Sequence, residues 1–135
     1  MTTDRRRRPV ARVGGVLVLA VVLAGCASAQ EPEVQRVATA FEDTGGDPGA
    51  RCDLLAPNAL TALEQDQSQP CDQAIAQLPV AGGDVQSVEV WGGDAQVRLT
   101  GDTVFLTETR AGWRVTAAAC QPNGEAPYDC ELAAS

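Results

Sequence analysis

Cysteine is the residue best equipped for chemistry in this 135-residue chain, and the spacing of its five copies limits which chemistry that is. Cys52, Cys71, Cys120 and Cys130 share the long C-terminal part, and Cys26 stands apart from them. No two fall at the spacing of about two to four residues that zinc knuckles use, and the chain has no His, so a metal centre is not expected. The thiols are left with oxidation to disulfides or with alkylation, for which a thiolate is the best nucleophile among the side chains.

Acid–base chemistry has fewer candidates. Without His, an enzyme would need two carboxylates, or a carboxylate and the single tyrosine Tyr128, converging in one pocket. Asp43, Asp53 and Asp84 each stand beside an expected helix cap or turn, where Asp is common for structural reasons. The segment from Glu42 to Asp47 places carboxylates near Gly45 and Gly46, but it lacks the regular spacing of a calcium-binding loop and reads as a solvated helix end. No catalytic residue and no metal ligand is assigned. Phe41, Trp91, Phe105 and Trp113 are the candidate lining of a ligand pocket, with Trp91 and Trp113 foremost, because indole offers a broad apolar face and a donor. Burial in the core is the competing expectation for both.

The N-terminus has three regions in order: a basic stretch with Arg5 to Arg8 and Arg12, an apolar run from Val13 to Ala24, and Leu23-Ala24-Gly25-Cys26. A run of about twelve apolar residues is too short to cross a hydrocarbon core that needs about twenty, and it suits the middle of an export signal. Leu-Ala-Gly-Cys resembles the lipobox of bacterial lipoproteins. The resemblance implies that the signal covers residues 1–25, that Cys26 receives a diacylglyceryl group, and that it becomes the first residue of the mature protein. Two acyl chains anchor stably where one binds marginally. The expected address is the outer face of the cytoplasmic membrane, with the lipid on Cys26 the only added group. The arginine run also invites a twin-arginine reading, but Pro9-Val10-Ala11 follows Arg8 where two bulky apolar residues would be needed, which favours the general secretory route.

Beyond Cys26 the chain carries seventeen carboxylates against five arginines, a net charge of −12. Nucleic-acid binding needs clustered cations and is excluded on that balance. An acidic surface is repelled by anionic lipid, so the anchor alone is expected to hold the domain at the membrane. With Cys26 lipidated, four cysteines remain in an oxidising compartment, and four allow three pairings. Pairing Cys52 with Cys71 and Cys120 with Cys130 keeps each bridge within one local unit, the first among helices and the second across a turn of the sheet.

The elements that position these residues come next. Residues 26–31 are expected to be the lipidated cysteine and a short polar tether, and residues 32–135 a single domain. Val34, Val37, Ala38 and Phe41 recur at helical spacing from Pro32 until Gly45-Gly46 stops the helix. Asp47-Pro48 caps a short helix through Cys52 to Leu55, Asn58 to about Glu64 forms another after Pro57, and Pro70 starts a last one with Cys71, Ala74, Ile75 and Leu78 on one face. After Pro79 the period changes to two. Four strands follow, Val85 to Trp91, Ala95 to Thr100, Thr103 to Arg110 and Trp113 to Cys120, joined by Gly-rich hairpin turns, and a short fifth runs from Tyr128 to Leu132. The expected class is α+β, with N-terminal helices packed on a curved antiparallel sheet of four to five strands.

That order resembles the cone-shaped nuclear-transport-factor-like (SnoaL-like, cystatin-like) fold. Arg51-Cys52-Asp53-Leu54-Leu55-Ala56-Pro57, Pro70-Cys71-Asp72-Gln73-Ala74, Val97 to Leu106 and Gly112-Trp113-Arg114-Val115 resemble a group of small actinobacterial lipoproteins. The resemblance implies a conical pocket between helices and sheet, which relatives use for ligands, for catalysis, or simply fill. The expected function is a non-catalytic envelope module that binds a small apolar ligand or a neighbouring envelope protein. The alternatives are a SnoaL-like small-molecule enzyme and an inhibitor-like protein that docks through the loop 121–129.

Overall fold

The computed structural model describes residues 24–134, with no account of side chains at 24–26 and at 126. The export signal expected over residues 1–25 therefore lies outside the described residues, save Ala24 and Gly25, which open the first helix.

Among the described residues, four helices precede five strands: α1 (Ala24–Glu42), α2 (Pro48–Cys52), α3 (Pro57–Gln67), α4 (Cys71–Gln77), then β1 (Val85–Trp91), β2 (Asp94–Leu99), β3 (Thr103–Thr109), β4 (Gly112–Asn123) and β5 (Ala126–Ala133). The strands form one open antiparallel meander in chain order, β1-β2-β3-β4-β5. The α+β class and the helix-then-sheet order are as expected.

The tether expected at 27–31 is instead helix. Val34, Val37, Ala38 and Phe41 dock the later turns of α1 on the core, and once a helix is nucleated each further residue adds at little cost. Ala27, Ala29 and Gln30 are good helix formers, so the helix extends back through them. Pro32 lies inside it and forgoes one amide bond without ending it. The Asp47 carboxylate accepts the Ala50 amide at 2.8 Å and caps α2, with Pro48 in the first turn. Pro57 likewise lies in the first turn of α3.

The helices cover one face of the sheet. Phe41, Leu63, Ile75, Val97, Leu106, Val115 and Leu132 are fully buried between the layers. Alternation along β2 sends Ala95, Val97 and Leu99 into this core and Gln96 and Arg98 to the other face. Beyond the end of β5, the segment Leu54–Ala56 takes its place beside β4. The Val115 amide donates to Leu54 O at 2.8 Å, and the Ala56 amide donates to Val115 O at 2.9 Å. This covers backbone that would otherwise be an open edge.

Both expected bridges are present. Cys52–Cys71 ties α2 to the start of α4, and Cys120–Cys130 joins residues directly opposite each other on β4 and β5, with Cα atoms 4.0 Å apart.

Candidate functional site

The four aromatic residues expected to line one pocket do not come together. Phe41 and Trp113 are 0% and 3% exposed and belong to the packed core, whereas Trp91 is 49% exposed at the end of β1. Phe105 alternates with the buried Val104 and Leu106 and so points to the face the helices leave open. A chain with five aromatic residues spends two of its largest side chains filling the space between helices and sheet, since its other core residues are mostly Ala, Val and Leu.

The open face has its own organisation. Phe105 meets Tyr128 edge to face, with ring centroids 5.2 Å apart, a favourable aromatic geometry. The Tyr128 hydroxyl accepts a 3.3 Å hydrogen bond from Gln96 Nε2 on β2. A side chain of β5 thus reaches across to β2, which requires the β4–β5 hairpin to curl over this face. Strand register sets Trp91, Asp94, Thr107 and Arg114 in one transverse row, and Glu89, Gln96, Phe105 and Ala117 in the next.

The loop expected at 121–129 is largely strand. β4 continues to Asn123 and β5 starts at Ala126, with Gln121 opposite Asp129 and Asn123 opposite Ala126. Only Gly124 and Glu125 separate the strands, and Gly124 has the positive φ of 59° that such a turn requires. Pro122 and Pro127 suggest a loop, but Pro is tolerated at edges and at bulges, and the register shifts between Gln121 and Asn123.

The carboxylates singled out from sequence sit apart. Asp43 Oδ1 accepts the Gly45 amide at 3.0 Å in a local turn, Asp53 caps the end of α2, and Asp84 is exposed. Two others converge in the interior: Asp102, and Glu42, which was expected at a solvated helix end and is instead buried. Asp102, 4% exposed, accepts the amides of Thr103 and Cys120 on Oδ1, at 2.6 and 2.7 Å, and that of Ala119 on Oδ2, at 2.8 Å. Glu42, 6% exposed, accepts the Gly82 amide on Oε2 at 2.9 Å. Burial foremost, then the negative charge of Asp102 and a hydrogen bond to it, push the Glu42 carboxyl up to about 8. Glu42 is therefore protonated at neutral pH. Its Oε1 has no donor among the described residues, and the protonated carboxyl is hydrogen-bonded to Asp102.

Arg51, also buried, donates from Nε to Phe41 O at 2.7 Å and lies over the Phe41 ring with its guanidinium carbon 5.5 Å from the centroid. It satisfies a carbonyl at the end of α1 that has no partner within the helix. Burial lowers its affinity for the proton, opposed by Glu42 and Asp43.

Paired carboxyls with a shared proton can serve acid–base catalysis when a substrate reaches them. Here Asp102 has three backbone donors on its two oxygens, and both groups are more than nine-tenths buried. Their arrangement suits cross-linking of the end of α1, the Gly82 turn and the β2–β3 and β4 backbones. A sequence signal existed for Glu42, which falls eight residues after Val34 on the apolar stripe of α1. Asp102 had none, since Gly-Asp-Thr reads as a hairpin turn and its partners at 119 and 120 are remote in sequence.

The fold and these sites define an α+β domain with a filled interior, a buried polar cross-link and an aromatic cluster on the sheet face opposite the helices. No family model, no curated protein and no solved structure matches the chain.

Proposed function

We propose that this chain is an extracytoplasmic lipoprotein, held at the outer face of the cytoplasmic membrane by acyl chains on Cys26, whose domain docks an envelope protein on the sheet face opposite the helices. The order of basic stretch, apolar run and Leu-Ala-Gly-Cys supports the anchor, and the two disulfides are consistent with a location outside the cytoplasm. We read the fold as a nuclear-transport-factor-like cone in which Phe41, Trp113 and their neighbours occupy the volume a ligand would take.

The observation that carries the docking reading is the Phe105–Tyr128 pair on the face away from the helices. Aromatic side chains there are half-buried yet lie outside the core, as anchors for a partner do. Glu89, Asp94, Arg98 and Arg114 lie on the same face, so the segment that fits is apolar with flanking charges of both signs.

Two experiments test this. Labelled palmitate should enter the wild-type chain and not Cys26→Ser. A photo-crosslinking residue at Thr107 should capture one envelope protein in intact cells, identified by mass spectrometry, and the same residue at Gln73 on α4 should not. Capture that is equal at both positions, or unchanged by Tyr128→Ala, rejects the docking face.

A further inference from the structure

We infer that the end of the sheet bearing Trp91 faces the lipid and touches it, so that the domain stands on the membrane in one orientation rather than swinging on a leash. This rests on the lipid-anchor reading of Cys26 and adds a surface to it.

The geometry begins with the helix. Glu42, the last residue of α1, is bonded to Gly82, and Gly82 O accepts the Gly101 amide at 3.0 Å, so α1 ends where β1 starts and β2 finishes. From there α1 runs back over the sheet, packed on β1 to β4. From Glu42 back to Cys26 the helix covers about 24 Å at 1.5 Å per residue. Strand β1, seven residues long, covers about 20 Å. The Glu33 carboxyl is held below its usual range by its hydrogen bond to Arg36 and, more weakly, by the charge of Arg114, near the start of β4, whose row in the sheet includes Trp91. The amino-terminal half of α1 therefore heads toward the sheet end that bears Trp91 and the turn to Asp94, and Cys26 lies about two turns further on.

The chemistry of this end suits a headgroup layer. Trp91 is the large hydrophobic residue left exposed among the described residues, and Trp is favoured at membrane interfaces because its ring is apolar and its N–H is polar. Arg110 is exposed in the neighbouring turn between β3 and β4. At this end Glu31, Glu33, Asp94 and Glu108 stand against Arg36, Arg110 and Arg114, a net of −1, whereas the chain beyond Cys26 carries −12. An acidic domain tied to an anionic surface lowers its repulsion by presenting its least charged end. The helical start of α1 fixes that choice, since a helix cannot fold back as a tether could.

The test uses the full lipidated protein, purified from membranes and reconstituted into vesicles of phosphatidylethanolamine and phosphatidylglycerol with acyl chains brominated near the headgroup. Tryptophan quenching by bromine is compared between wild type and Trp91→Phe, both of which keep the buried Trp113. Quenching in the wild type that is mostly lost in Trp91→Phe is the expected result. If the protein floats with the vesicles but quenching is equal in both, the orientation is wrong and the anchor stands. Should it carry no acyl chain and fail to float, the anchor and the orientation fall together.

Discussion

The carboxylate of Asp102 accepts the amide of Cys120 at 2.7 Å, across 18 residues of chain, and so holds the β2–β3 turn to the point in β4 where the second disulfide begins. Ala119, immediately before that cysteine, has a φ of 53°, a left-handed conformation uncommon outside glycine. Its amide is the one bound by the other Asp102 oxygen. The carboxylate thus fastens a local kink that the strand would not adopt unaided.

Asp102→Ala should be among the most damaging single substitutions, because it leaves three buried amides without an acceptor, each worth about 1–3 kcal/mol. A drop of at least about 3 kcal/mol in the urea unfolding free energy is expected. Asp102→Asn retains one acceptor oxygen and should lose less.

The pH dependence follows from Glu42. Its folded carboxyl titrates at about 8 instead of the ordinary 4.5, so between those values the folded chain holds a proton that the unfolded chain has released. The unfolding free energy should therefore fall as pH rises through this window. The contribution is complete below about pH 4.5 and lost by about pH 8. Urea titrations at several pH values should show this slope in the wild type, and Glu42→Gln, which stays neutral, should flatten it.

The two tryptophans should respond in opposite ways. Trp113→Ala opens a cavity in the core and should cost about 3–5 kcal/mol. Trp91→Ala should stay within about 0.5 kcal/mol, as exposed positions do. Thermal melts of the two variants check the pair.

Removing either bridge should destabilise by about 3 kcal/mol, since each closes a short loop in the unfolded chain. Melts of Cys52→Ser/Cys71→Ser and Cys120→Ser/Cys130→Ser measure this. Peptide mapping of the unreduced protein should give Cys52 linked to Cys71 and Cys120 linked to Cys130.

Local periodicity made much of this fold legible. The helical spacing from Val34 to Phe41, the Asp47-Pro48 cap and the alternation in β2 each depend on residues close in sequence, and each forms as expected. The cysteines were legible for the same reason, because each pair lies within one supersecondary unit. What escaped was decided across the molecule. The start of α1 follows from a nucleus eight or more residues downstream, and the length of the last hairpin follows from its pairing rather than from its prolines. The meeting of Glu42 with Asp102 depends on how α1 lies across the sheet, which no local pattern encodes. The aromatics had the right types for a pocket, but strand parity placed Phe105 and Trp91 on one face and Trp113 on the other.

A meander in which every strand pairs with the one just before it needs only short loops to close. Such sheets can zip up hairpin by hairpin, without waiting for distant parts of the chain to find each other. Cys120 and Cys130 are brought face to face by ordinary strand pairing, so an oxidant has only to lock in a partnership already made.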